Sequence, residues 1–259
     1  MPLALAHQRR RLYANNPIKI VVCQVKFPLL TTFDQPGFLA PLQESLSERF
    51  PRVSEEQQLG MTFGPQGVTQ MPPTSLWRFH ELDGPWTITL GRDFLALETQ
   101  LYRRYEDLVD RLVEAIGVLG QIGVQVRERM GLRYVNRLAD PEARRATDWR
   151  RFIRPELLGV VGGPELGDDV VQAIQQIRLR EPDGFVVIHH GYLSDEVAGT
   201  DGAHYLIDID LFDERAVRFD PDETLKLVDS YHERLKDLFE ISITDEMRSH
   251  LVIEEELDA

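Results

Sequence analysis

Apolar and polar positions change their period several times along the chain, and each change predicts an element. The run IKIVVCQVKF, rich in β-branched residues, predicts a strand. It follows a polar arm, residues 1–17, that closes on Asn15, Asn16 and Pro17. Phe38, Leu42, Leu46 and Phe50 then recur every four residues, as on one face of a helix, and Pro51 stops the run. Short strands are predicted around 58–63, 76–81, 86–90 and 94–99, separated by Gly64-Pro65 and Asp83-Gly84-Pro85, so that they form an antiparallel meander. Over 102–122 the residues Tyr105, Leu108, Val109, Leu112, Ile116 and Leu119 share one helical face.

The order then starts again. Residues 125–138 alternate with a period of two: Val126, Met130, Leu132, Tyr134 and Leu138 point one way, and Arg127, Arg129, Arg133 and Arg137 the other. A stretch containing Trp149, Phe152, Leu157 and Leu158 predicts a short helix, with a glycine-rich connection after it. Strands follow over 170–180, 184–190 and 204–212, the first two joined by the turn Glu181-Pro182-Asp183-Gly184. A last long helix over 221–241 has Asp220 as N-cap, Pro221 at its first position and Glu223 completing a capping-box pattern.

The fold class is therefore α+β, with antiparallel sheets covered by long helices. The organisation is an arm (1–17), two α+β halves (18–123 and 124–250) and an acidic tail (251–259). A duplicated β-α-β4-α unit, as in TATA-box-binding-protein-like and helix-grip folds, would give this order. Antiparallel sheets with covering helices also generate it without duplication.

Charge narrows the partners. Lys and Arg total 29 against 43 Asp and Glu, a net charge of −14, which opposes non-specific binding to nucleic acid or anionic lipid. No apolar run approaches the roughly 20 residues a membrane span requires. The N-terminus lacks the charge order of a secretory signal, so a cytoplasmic protein is expected. Cys23 is the single cysteine, which excludes an internal disulfide; within an apolar strand it reads as a small buried hydrophobe.

The densest candidate chemistry is HYLIDIDLFDER. Alternation puts His204, Asp208 and Asp210 on one face with Leu206 and Phe212, opposite a core-facing row of Tyr205, Ile207, Ile209 and Leu211. Such a group, with His189, could serve a metal-assisted hydrolase or nuclease, yet no HExxH, EF-hand or similar spacing supplies further ligands, and no metal or cofactor is expected. The alternative is charge pairing: Arg133, Arg137, Arg178 and Arg180 occupy polar strand faces, and were these strands neighbours the aspartates would pair with arginines across the sheet. Adjacent His189 and His190 must point to opposite faces. The glycines at 159, 162 and 163 lack a phosphate-loop spacing and read as a flexible connection. The basic cluster His7, Arg9, Arg10 and Arg11 reads as solvated, and Glu254, Glu255, Glu256 and Asp258 as a frayed tail.

NNPIKIVVCQVKF, the strand with Trp77, Arg78 and Phe79, MGLRYVNRL and HYLIDIDLFDER together resemble a sporadically distributed bacterial protein family of unassigned function. The resemblance spans nearly the whole chain and departs at Ile20, where an acidic residue would be expected. It transfers no catalytic residues. Its patchy distribution implies a defence-associated setting: an immunity protein, antitoxin or accessory of a defence complex. The leading expectation is thus a non-enzymatic module that binds a protein partner. The alternatives are the metal-assisted hydrolase and nucleic-acid binding through the arginine-bearing face.

Overall fold

A computed structural model describes residues 8, 10–58, 61–64, 67–70, 74–163, 165–199 and 202–257. The arm contains a strand, β1 (Arg10–Tyr13), and the β-branched run forms β2 (Ile18–Lys26). Then come α1 (Ala40–Leu46), β3 (Arg52–Gln58), the hairpin β4 (Met61–Gly64) and β5 (Gly67–Gln70), β6 (Thr74–His80), β7 (Trp86–Leu90), β8 (Phe94–Thr99) and α2 (Tyr105–Gln121). The second run has β9 (Val126–Arg127), β10 (Arg129–Leu138), α3 (Pro155–Leu158), β11 (Gln172–Glu181), β12 (Gly184–Leu193), α4 (Asp195–Ala198) and β13 (His204–Asp213). It closes with β14 (Val217–Arg218), α5 (Pro221–Ser242), α6 (Asp245–Leu251) and β15 (Ile253–Leu257).

Among the described residues, nine strands make one antiparallel sheet in the order β11-β12-β13-β10-β2-β8-β7-β6-β3. The chain is mixed α+β, as its periodicity predicts. One sheet face is the core: Val21, Cys23 and Val25 of β2 lie beside Leu132 and Tyr134 of β10 and Ile209 of β13, each at most 4% exposed. Helix α2 lays Leu108, Leu112, Ile116 and Leu119 into this core, and α5 adds Val228, Leu235 and Leu238. The predicted start of α5 is realised, with the Asp220 carboxylate accepting the Glu223 amide at 3.1 Å. Burial pushes the Cys23 thiol up to about 12, so it behaves as core filling.

Several expectations are corrected. The strand predicted around 58–63 falls on β3, which occupies 52–58, and on β4; residues 59 and 60 lie outside the described residues. The charged run RVSEEQQ conceals β3 because it is an edge strand, where both faces tolerate polar side chains. The arm and tail are not merely solvated: β1 pairs antiparallel with β15, setting Arg10 opposite Leu257 and Arg11 opposite Glu256. Basic and acidic ends of the chain thereby meet, a contact across 240-odd residues that local pattern does not carry. His7 and Arg9 lie outside the described residues. The glycine-rich connection is tied down by Val161, which is fully buried in the core.

The long arginine strand is interrupted at Glu128, between β9 and β10. Arg127 therefore leaves the arginine face and turns inward, donating from Nη1 to Asp213 Oδ1 at 2.9 Å; both residues are buried. Asp213 also accepts the Met130 amide at 3.2 Å.

His190 is fully buried on the core face, and its Nδ1 lies 3.0 Å from the Tyr205 hydroxyl. Tyr205 spends its own proton on the Leu157 carbonyl at 3.2 Å, so the imidazole must donate from Nδ1. Its Nε2 is buried with no hydrogen-bond partner among the described residues. Burial consequently holds the imidazole below its ordinary value of 6.5. In the unfolded chain His190 protonates first as pH falls, so its contribution to stability is complete above about pH 6.5 and is lost below it. Urea unfolding between pH 8 and 5 is expected to show this decline, and His190→Gln to flatten it; an unchanged slope in the variant refutes the assignment.

Candidate functional site

The polar face of the sheet collects the residues the alternation predicts. Arg133 of β10 stands opposite Asp210 of β13 in register, yet it reaches diagonally to Asp208, donating from Nε to Oδ1 and from Nη2 to Oδ2, both at 2.7 Å. Asp208 is buried by this bidentate clamp and by its other neighbour, His189 of β12, whose Nδ1 is 3.7 Å away. The pair is therefore stronger than the exposed pairing expected from sequence, because its geometry is parallel and the carboxylate is shielded from water. Asp210 pairs instead with Arg129, at 3.2 Å. Burial raises its carboxyl above the ordinary value of 3.8, outweighing the opposing pull of Arg129 and Arg133. Gly131 leaves room for this arrangement: a Cβ there would lie 2.7 Å from Arg129 Nη1, and the flexible guanidinium would have to shift.

His204 does not converge with the aspartates, for its Nδ1 is 2.8 Å from the Gly202 carbonyl. Among the described residues no three of His, Cys, Asp and Glu are arranged to hold a metal ion. Arg137 lies on the same face at the far end, opposite Leu206. His189 and His190 diverge as alternation requires, one to the polar face and one to the core.

At the outer side of this face the chemistry changes. Arg178 of β11 stacks over the Phe185 ring at 4.1 Å, and Arg180 approaches the same ring at 5.6 Å. Phe212 stands 6.2 Å from Phe185 and carries Arg129 at 4.5 Å. Arg178 and Arg180 are exposed and have no carboxylate partner among the described residues. The face thus passes from neutralised pairs at its centre to uncompensated cations over aromatic rings at its β11 edge. Alternate positions along β11, including Gln172, Ile174 and Gln176, are exposed too.

A second site, on the helix side, is missed by sequence reasoning. The start of α2, the middle of α5, the floor of β10 and the arm enclose a cleft of about 300 Å³. Tyr134 shares a hydrogen bond with His232 Nδ1 at 2.9 Å and lies 3.4 Å from the Tyr102 hydroxyl. Tyr105 stacks on His232 with centroids 3.8 Å apart and planes 4° apart, and it donates to Asp229 at 2.5 Å. Burial, the leading cause for each, drives the phenols of Tyr102, Tyr105 and Tyr134 upward, so all three stay protonated. Periodicity assigns Tyr105 and Tyr134 to apolar stripes, which is correct but hides the use of their hydroxyls. The density of tyrosine in Tyr102-Arg103-Arg104-Tyr105 is the one local signal.

No protein-family model matches the chain, and no curated protein matches it significantly. Among the described residues no helix is long and apolar enough to cross a membrane.

Proposed function

We propose that the chain is a non-enzymatic binding module that docks a protein partner on the polar face of its sheet, with Arg178 and Arg180 as the principal contacts. The observation that carries this reading is the contrast along the face. Arg129 and Arg133 are already neutralised by Asp210 and Asp208, whereas Arg178 and Arg180 are held over Phe185 with no carboxylate partner among the described residues. A partner presenting carboxylates next to apolar side chains is complementary to that edge. The overall charge of −14 favours a protein over nucleic acid, since the field around the molecule repels phosphate backbones at a distance. An immunity, antitoxin or defence-accessory role is the setting that fits such a module.

We also read the sheet as a duplicated unit of the TATA-box-binding-protein-like kind. In support, β2 and β10 lie side by side, and each is flanked on its other side by a strand of its own half that comes before a long helix: β8 before α2 and β13 before α5. The sheet continues outward in the orders β7, β6 and β12, β11, with β3 as an additional edge strand beyond β6.

The test is a quantitative capture from the native host with wild-type protein and with Arg178→Glu/Arg180→Glu. Both side chains are exposed, so the variant should retain the wild-type melting temperature. A stoichiometric protein partner lost by at least about tenfold in the variant is expected. A partner retained in full, or salt-sensitive retardation of DNA or RNA with no protein partner, counts against the reading.

A further inference from the structure

The cleft on the helix side is independent of the polar face, and its lining specifies a ligand class. Its walls are aromatic: Tyr102 and Tyr134 stand 5.5 Å apart at 42°, and His232 is fixed between Tyr105 and the edge of Tyr134. Held on both sides, these rings can accept a flat body without losing side-chain freedom on binding. Its volume of about 300 Å³ lies at the lower end of small-molecule sites, which suits a single ring system.

One polar group inside is nearly buried yet only weakly bonded. Tyr102 is 7% exposed, and among the described residues its hydroxyl has a single hydrogen bond, the 3.4 Å contact to Tyr134, much longer than the roughly 2.7–2.8 Å of a good O–H···O bond. A ligand atom could satisfy it better. Burial keeps the Tyr102 phenol protonated, so its hydroxyl can both donate to and accept from a ligand.

The mouth carries both charges. Among the ionic residues lining the cleft, Arg11 is taken by Glu240 at 3.0 Å and Lys236 is paired with Glu233. Arg103, Arg104, Glu106 and Glu255 line it too; all are exposed, and none has an ion-pair partner among the described residues. Two cations and two anions left unpaired around an aromatic slot match a molecule that brings one charge of each sign. The first amides of α2, which begins at Tyr105 after an N-cap arginine that supplies no side-chain acceptor, add a donor set on the cationic side.

We propose that this cleft binds a small aromatic zwitterion of the aromatic amino-acid class, with its ring among Tyr102, Tyr105, Tyr134 and His232, its carboxylate at Arg103 and Arg104, and its ammonium at Glu106 and Glu255. The polar-face reading can fail without touching this one, because the two sites lie on opposite faces of the sheet.

Isothermal titration with L-phenylalanine and L-tryptophan tests it, with 3-phenylpropionate lacking the ammonium and phenethylamine lacking the carboxylate. Saturable binding of at least one amino acid at about 1 mM or tighter is expected, and both single-charge analogues should bind at least about fivefold more weakly. Arg103→Ala/Arg104→Ala should weaken amino-acid binding by a similar factor with no change in melting temperature, and should leave phenethylamine binding unaltered. Tyr102→Phe, which keeps the ring, should also weaken binding. Absence of saturable binding for both amino acids, equal binding of the single-charge analogues, or indifference to the arginine pair overturns the proposal.

Discussion

Gly191→Ala is expected to abolish folding or to cost about 4 kcal/mol or more, the range reserved for severe steric or packing lesions. Gly191 lies inside β12 with φ +155°, paired with Ile174 on one side and Leu206 on the other. A Cβ there would stand 1.8 Å from the Ala173 carbonyl oxygen and 2.9 Å from the Ile174 Cα, both backbone atoms of β11. No rotamer relieves a backbone clash, so the strand pair must separate. The opposite sign is expected in α2, where Gly117 and Gly120 are exposed and an added Cβ meets nothing within 4 Å. Each substitution by alanine there should raise stability by about 0.5–1 kcal/mol, because alanine restricts the unfolded chain at no steric cost. Urea unfolding of the three single variants decides the matter; a Gly191→Ala protein as stable as wild type would mean that β11 and β12 are not packed this closely.

The second large effect is expected at the buried Arg127 and Asp213. Arg127→Leu should cost about 3–5 kcal/mol, since it leaves Asp213, which has no exposed surface, as a buried charge without its guanidinium. Arg215 offers little relief, for its Nη2 is 3.6 Å from Asp213 Oδ2 and its side chain is half exposed. Arg127→Leu/Asp213→Asn should recover most of the loss: the neutral amide can still accept the Met130 amide through its oxygen, and the desolvated charge is gone. Chemical denaturation of the two variants measures the difference directly. A single-variant loss below about 1 kcal/mol would place the carboxylate within reach of water.

These two sites also mark where sequence reading stops. Strict alternation places Arg127 with Arg129, Arg133 and Arg137, but the interruption at Glu128 reverses its direction, and a strand break of one residue leaves no compositional trace. The same alternation succeeds from Met130 to Leu138 and from His204 to Phe212, because both strands pack one face against helices and must therefore segregate apolar from polar side chains. That Arg133 clamps Asp208, rather than the Asp210 opposite it, depends on side-chain reach across the ladder. The prediction that arginines and these aspartates would meet needed only that β10 and β13 be neighbours, which pairing alone decides. His204 shared the right face but was drawn off by a local carbonyl.

The aromatic cleft was illegible for a different reason. Its residues come from the arm, α2, β10 and α5, segments more than 200 residues apart, and each has a sufficient local explanation as part of an apolar stripe. Composition, the period of each run and the capping signal at Asp220 are properties of neighbouring residues, so the α+β class, most strand and helix positions, and the face on which the ionic side chains of the unbroken strands stand follow from the chain alone. Strand order, the meeting of β1 with β15, the pairing partners of the arginines and the enclosure of the tyrosines are contacts between distant segments. They arise when one hydrophobic face is closed by the two long helices, and no window of sequence contains both sides of such a contact.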